Sequence, residues 1–175
     1  MKRCINFFAI GVMLISLAFT ANAQGDKSKR PSPPMTASGK AGGAEVTINY
    51  GAPSVKGREI YGNLVPYGKV WRTGANEATT FSVSKDVTVN GQALPAGKYA
   101  LFTIPEKGEW TVIFNKNADQ WGAYDYKEDQ DALRIKVKPE KTSQLQEQLK
   151  FGVGADGKVS FSWEHQSIEF AVNSK

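Results

Sequence analysis

From Glu45 to Val172 apolar residues return at nearly every second position, in short runs punctuated by glycine, proline, asparagine and aspartate. A repeat of two sends alternate side chains to opposite faces of an extended chain, so such residues leave water only when strands lie side by side in sheets. Val46, Ile48 and Tyr50 share one face before Gly51-Ala52-Pro53 ends the run, and Thr79 to Ser84 forms another strand. Val87-Thr88-Val89 and Gln92-Ala93-Leu94 flank Asn90-Gly91, a two-residue hairpin turn whose residues tolerate positive φ. After the turn Pro95-Ala96-Gly97, Lys98 to Ile104 is apolar on both faces, which suits the middle of a sandwich. Trp110, Val112 and Phe114 then alternate, as do Leu133, Ile135 and Val137 against Arg134, Lys136 and Lys138.

Two segments read less simply. Asn117 to Asp131 breaks the alternation and is expected to be a long loop. Lys141 to Gln148 carries Leu145 and Leu149 at helical spacing, but Leu149, Phe151 and Val153 alternate, which favours a strand over Gln146 to Gly154. Asp156-Gly157 turns the chain into Val159, Phe161 and Trp163, and Ile168, Phe170 and Val172 make a last strand. The expected fold is all-β: an antiparallel β-sandwich or jelly-roll-like single domain over residues 44–175, of about nine strands, with no room for a βαβ unit.

The ends of the chain set the compartment. Lys2-Arg3, the apolar run Ile5 to Phe19 and the small residues of Thr20-Ala21-Asn22-Ala23-Gln24 read as a signal peptide over residues 1–23, cut after Ala23. The apolar run is shorter than a membrane span needs, so no stable membrane insertion is expected after cleavage. Cleavage removes Cys4, the single cysteine, and leaves a disulfide-free chain bound for the periplasm or the exterior. It also removes two of the 22 basic residues and none of the 17 acidic ones, lowering the net charge from +5 to +3. That mild, interspersed balance argues against a nucleic-acid partner. Residues 24–43, with Arg30-Pro31-Ser32-Pro33-Pro34 in the middle, are too polar for a core and are expected to be a flexible lead-in.

The densest group of convergent polar chemistry is Val70-Trp71-Arg72-Thr73-Gly74-Ala75-Asn76-Glu77. Arg72 offers a rigid fork of donors, Asn76 both donates and accepts, Glu77 accepts hydroxyls or acts as a base, and Trp71 offers a stacking face. The alternative is a staple, with Arg72 and Glu77 paired to each other and Asn76 satisfying backbone. Lys56 and Arg58 add cations if their loop folds back to this stretch, and otherwise make a solvated turn. Trp121 and Tyr124, in a loop rich in acids, match the mixture of rings and carboxylates that sugar sites use, unless Trp121 caps the core. No metal site and no cofactor is expected: Lys127 interrupts the acids from Asp125 to Asp131, and His165, the only histidine, reads as a strand-surface residue.

Pro33-Pro34-Met35, Val46-Thr47-Ile48-Asn49-Tyr50-Gly51, Lys56-Gly57-Arg58, Val65-Pro66-Tyr67-Gly68, the run Val70 to Thr79, Leu94-Pro95-Ala96-Gly97-Lys98-Tyr99 and Trp121-Gly122-Ala123-Tyr124 together resemble the secreted bacterial family called domain of unknown function 2911. The resemblance spans about Pro31 to Val172 and implies an extracytoplasmic all-β domain. It brings no established activity and no catalytic residue. Three functions stay open: non-catalytic binding of a small polar ligand or glycan through Trp71, Arg72, Asn76 and Glu77 with Trp121 and Tyr124; a glycan-directed hydrolase pairing Glu77 with an acid of the loop; and a structural or assembly protein of the cell envelope.

Overall fold

A computed structural model describes residues 26–175; the expected signal peptide lies outside the described residues. Among the described residues ten antiparallel strands form two sheets. They are β1 (Pro34–Ala41), β2 (Ala44–Gly51), β3 (Thr79–Val83), β4 (Val87–Val89), β5 (Gln92–Leu94), β6 (Gly97–Ile104), β7 (Trp110–Asn115), β8 (Asp131–Val137), β9 (Glu140–Val153) and β10 (Lys158–Ser174). One sheet has the order β1-β2-β3-β6-β7-β8 and the other β5-β4-β10-β9. The sandwich read from the alternation is therefore the fold.

The inward faces meet in one core. Val46 and Ile48 of β2, Phe81 of β3, Leu101 of β6 and Trp110, Val112 and Phe114 of β7 face Val87 and Val89 of β4 and Phe161, Trp163, Phe170 and Val172 of β10, all essentially without exposure. Rings lock the layers together edge to face: Phe114 lies 5.8 Å from Phe170, and Tyr50 lies 4.9 Å from Phe151 across the gap. Such pairs contribute about 0.5–1.5 kcal/mol each beyond their buried area. The double-sided character of β6 also has its cause in the packing. Ala100 and Phe102 with Ile113 of β7 form a second cluster on the outer face, covered by the loop after β7 through Ala123 and Tyr126.

Three elements differ from the sequence expectation. Pro34–Ala41, placed in the flexible lead-in, is strand β1, paired along its whole length with β2. Its turn is Gly42-Gly43, with φ of 56° and 71°, the left-handed pair a two-residue hairpin takes most easily. Lys141 to Gln148, ambiguous between helix and strand, belongs to β9. The runs Val159 to Trp163 and Ile168 to Val172 are one strand, β10, rather than two. Trp163 and Ile168 both point inward although five residues apart, and the register slips on either side of Glu164, whose φ is 57°. The irregularity absorbs the odd residue and restores the inward parity.

Candidate functional site

The run after β2 folds as a buried staple at its start and opens to solvent at its end. Trp71 exchanges backbone hydrogen bonds with Thr103 of β6 at 2.8 and 2.9 Å. Its ring stacks on Trp163 at 5.7 Å and 21° and packs against Phe161 and Tyr61. Trp71 is thus packed, partly buried, against the core and lines neither recess at Glu77. Thr73 follows in the left-handed region at φ 52°, a conformation a β-branched residue adopts only when its surroundings over-determine it. They do so here: its fully buried hydroxyl donates to Trp71 O at 3.3 Å and meets Thr103 Oγ1 at 3.1 Å, while Thr79 Oγ1 donates to Thr73 O at 3.0 Å.

The next turn docks on the end of β2. Ala75 N donates to Gly51 O at 3.2 Å. A Cβ on Gly51 would stand 2.2 Å from Ala75 O, and one on Gly74 3.0 Å from Gly51 O, so both glycines are required by close approach. Asn76, at φ 65°, keeps its side-chain amide beside Gly51, 3.3 Å from where a Cβ there would stand. Backbone pairing across to the loop after β7 fixes what comes next: Glu77 and Trp121 form an antiparallel bridge, with Ala78 N donating to Gln120 O at 3.0 Å and Gly122 N to Asn76 O at 3.1 Å. The Glu77 carboxylate and the Trp121 ring are therefore neighbours held by backbone. Trp121 is 52% exposed, which overturns the alternative that it caps the core.

Arg72 and Glu77 do not pair. Arg72 Nε donates to Gly74 O at 3.4 Å, and its guanidinium rests beside Gly122. The partners of Glu77 come instead from the residues before β1. Arg30 Nη1 donates to both carboxylate oxygens, at 2.8 and 3.1 Å, Lys27 Nζ donates to Oε1 at 3.1 Å, and the Arg30 guanidinium carbon lies 5.9 Å from the Trp121 ring centre. Asn76 Nδ2 donates to Ser32 O at 3.0 Å and Ala52 N to Pro33 O at 2.9 Å, so backbone is held as well as side chain. Residues 26–33, expected to be flexible lead-in, lie as an arm across the candidate site. Partial burial of Glu77 works to raise its carboxyl, but its own backbone N–H, the hydrogen bonds from Lys27 and Arg30 and the Arg30 charge outweigh that and hold it below the usual carboxylate range. With 45% of its side chain exposed, the ion pair is a weak link, of about 0.2–1 kcal/mol.

Two recesses adjoin at Glu77. One, of about 500 Å3, has Thr36, Asn49 and Thr80 from adjacent strands as its floor and Lys27, Arg30, Glu77 and Lys98 at its rim. The other, of about 290 Å3, lies between Glu77 and Trp121 and takes in Asp119, which pairs with Lys98 at 2.6 Å. Thr80 Oγ1 and Gln120 Oε1, both on residues lining this second recess, are buried without a hydrogen-bond partner among the described residues. A further cleft of about 470 Å3 runs between β1 and β9, with Lys150 as its only charged lining residue. A smaller recess of about 300 Å3 lies at Tyr61, Glu106, Lys107 and Lys141, away from the sequence candidates.

The remaining sequence candidates are elsewhere. Lys56 and Arg58 form a turn against β9: Lys56 N donates to Glu147 Oε1 at 2.9 Å and Arg58 Nε to Val55 O at 3.0 Å. Neither lines a recess at Glu77, so the solvated-turn alternative describes them. Tyr124 is 82% exposed and lines neither recess, while Tyr126 is the ring that packs, edge-on to Phe102 at 5.2 Å with its hydroxyl on Asp131 at 2.7 Å. Glu128 and Asp131, acids offered as partners for Glu77, face Arg134. His165 sits at the β10 irregularity with Nδ1 3.0 Å from Thr142 O.

Lys27, Arg30, Ser32, Lys98 and Asp119 were not singled out by sequence. The signal that could have found the first three is the proline run after Arg30, which fixes φ and lowers the entropy lost on pinning the arm. The chain matches the family described as "Protein of unknown function (DUF2911)" over residues 32–172. No curated protein and no solved structure matches it.

Proposed function

This chain belongs to the DUF2911 family, and from that premise we propose that its β-sandwich is an exported, non-catalytic module that binds a small polar ligand or glycan at the Glu77–Trp121 face. The observation that carries this reading is the backbone bridge that sets a half-exposed carboxylate beside a half-exposed indole where two recesses adjoin. Sites for small polar ligands combine an aromatic face with a few fixed polar groups in a concavity of this size. Asn76, Lys98, Asp119 and the orphaned Thr80 and Gln120 oxygens supply further polar groups.

Hydrolysis is the weaker reading. A glycosidase needs one carboxyl kept protonated as the acid. Glu77 is pushed the other way by Arg30 and Lys27, and the loop acids Glu128 and Asp131 are engaged by Arg134 of β8. A screen of glycans and polar metabolites against the mature chain tests the proposal, with Glu77→Gln and Trp121→Ala as controls. Saturable binding lost in both variants, without product, supports it. Turnover that disappears in Glu77→Gln while affinity is kept would move the protein to the hydrolase class.

A further inference from the structure

The arm that covers the site is itself shaped like a ligand, and its contacts define a chemistry. Arg30 places its cation against the two Glu77 oxygens and over the Trp121 ring, a combination that a planar, weakly hydrated guanidinium satisfies better than a compact ammonium. Lys27 illustrates the difference, since its Nζ reaches only one oxygen. Beyond the side chain, the domain reads backbone: Asn76 Nδ2 takes the carbonyl two residues after the arginine and Ala52 N the carbonyl three residues after it. Both contacts use carbonyls and neither needs an arm N–H. The arm bends over Arg30, Pro31 and Ser32, and Pro31 and Pro33 have no N–H to lose there, so a bent, proline-rich segment gives up few backbone donors in this position.

We propose that Glu77, Trp121, Asn76 and Ala52 form a recognition site for an arginine followed by a proline-rich stretch of polypeptide, and that the chain's own Arg30–Pro33 fills it in cis. The proposal rests on the binding face identified above and goes beyond the small-ligand reading by giving that face a polypeptide occupant. The receiving side is preorganised, because the Glu77–Trp121 bridge and the docking of Ala75 on Gly51 hold it through contacts that do not involve the arm. The arm is the exchangeable part: its hold on Glu77 is a partly exposed ion pair, and a polypeptide of matching chemistry competes for the same carboxylate and ring. An occupied site lowers the apparent affinity for such a segment by the fraction of molecules whose arm is in place.

The test uses the full mature chain carrying Lys27→Ala and Arg30→Ala, which keeps the arm but removes the two cations that reach Glu77. Calorimetry measures binding of the capped peptide Arg-Pro-Ser-Pro-Pro, the same peptide with lysine in first place, and Nα-acetylarginine amide. The expected result is that the doubly substituted chain binds the arginine peptide about two- to fivefold more tightly than the unsubstituted chain does, and more tightly than the lysine peptide. Adding Glu77→Gln or Trp121→Ala should abolish that binding. Equal binding by substituted and unsubstituted chains, or binding indifferent to Glu77→Gln, overturns the proposal. Acetylarginine amide binding as well as the peptide overturns its polypeptide part and leaves a guanidinium site. Binding of a glycan or another polar compound, with no guanidinium bound, overturns the ligand class while the wider binding reading stands. No binding of any compound takes down both.

Discussion

Arg30 and Glu77 lie 47 residues apart in the chain, yet one guanidinium nitrogen of Arg30 donates to both oxygens of the Glu77 carboxylate, at 2.8 and 3.1 Å. The contact joins the segment just ahead of the sandwich to the polar turn between Trp71 and Glu77. It makes the arm part of the site, and it separates two kinds of residue in the run Trp71 to Glu77: those that hold the fold and those that face a ligand.

The arm contact should matter for access far more than for stability. Arg30→Ala removes a partly exposed ion pair and is expected to cost less than about 1 kcal/mol in urea unfolding. Limited trypsin digestion should cut after Lys27 and Lys29 markedly faster in the variant than in the unsubstituted chain. Unchanged cleavage would mean that Arg30 does not hold the arm.

Acid should release the arm. The Glu77 carboxyl is held below its ordinary value of 4.5 in the folded chain, so its contribution is complete above that pH and is lost as pH falls through the lower folded value. A carbon-detected NMR titration should place the Glu77 midpoint below 4.5 and move it upward in Arg30→Ala. A midpoint at or above 4.5 in the unsubstituted chain would contradict the ion pair.

The two tryptophans should behave oppositely. Trp71→Ala opens a hole between Trp163, Phe161 and Tyr61 and is expected to cost about 3–5 kcal/mol. Trp121→Ala, on an exposed ring, should change stability by no more than about 0.5 kcal/mol while removing ligand binding. Chemical denaturation of the pair measures both.

The staple beneath the site has its own signature. Thr73→Val keeps the shape but deprives Thr103 Oγ1 of its partner in a fully buried position, at an expected cost of about 1–3 kcal/mol. Gly51→Ala would drive a methyl into Ala75 O and should cost a similar 1–3 kcal/mol, roughly, while loosening the Asn76 contact to Ser32. Thermal unfolding with the amide shift of Ser32 as a local probe distinguishes the two.

Local pattern carried the sheets and failed where contacts are long-range. Val46, Ile48 and Phe81 announce themselves because one face of each strand is buried, and Asn90-Gly91 because its turn fixes its own dihedrals. Strand β1 escaped notice because it is an edge strand whose alternation, Met35, Ala37, Gly39 and Ala41 against Thr36, Ser38 and Lys40, is carried by small residues and leaves little apolar signal to read. The parity slip in β10 looked like a break between strands because the irregularity at Glu164 leaves the same trace in the sequence. At the site, the turn between Trp71 and Glu77 was legible as dense polar chemistry. Which residues it meets was not, because Arg30 reaches Glu77 through the β1–β2 hairpin and Trp121 reaches it through the covering loop. Proximity in sequence suggested Arg72 as the partner; the left-handed turns at Thr73 and Asn76 send the two side chains apart.

The most direct test is an NMR screen of the full mature chain carrying Lys27→Ala and Arg30→Ala against arginine peptides, glycans and polar metabolites, following backbone amides and the tryptophan indoles. The account predicts saturable shifts confined to Trp121, Asn76, Glu77 and their neighbours, with Trp71 and Trp163 unmoved. Shifts that map to the cleft between β1 and β9, or no saturable shift with any compound, would contradict it.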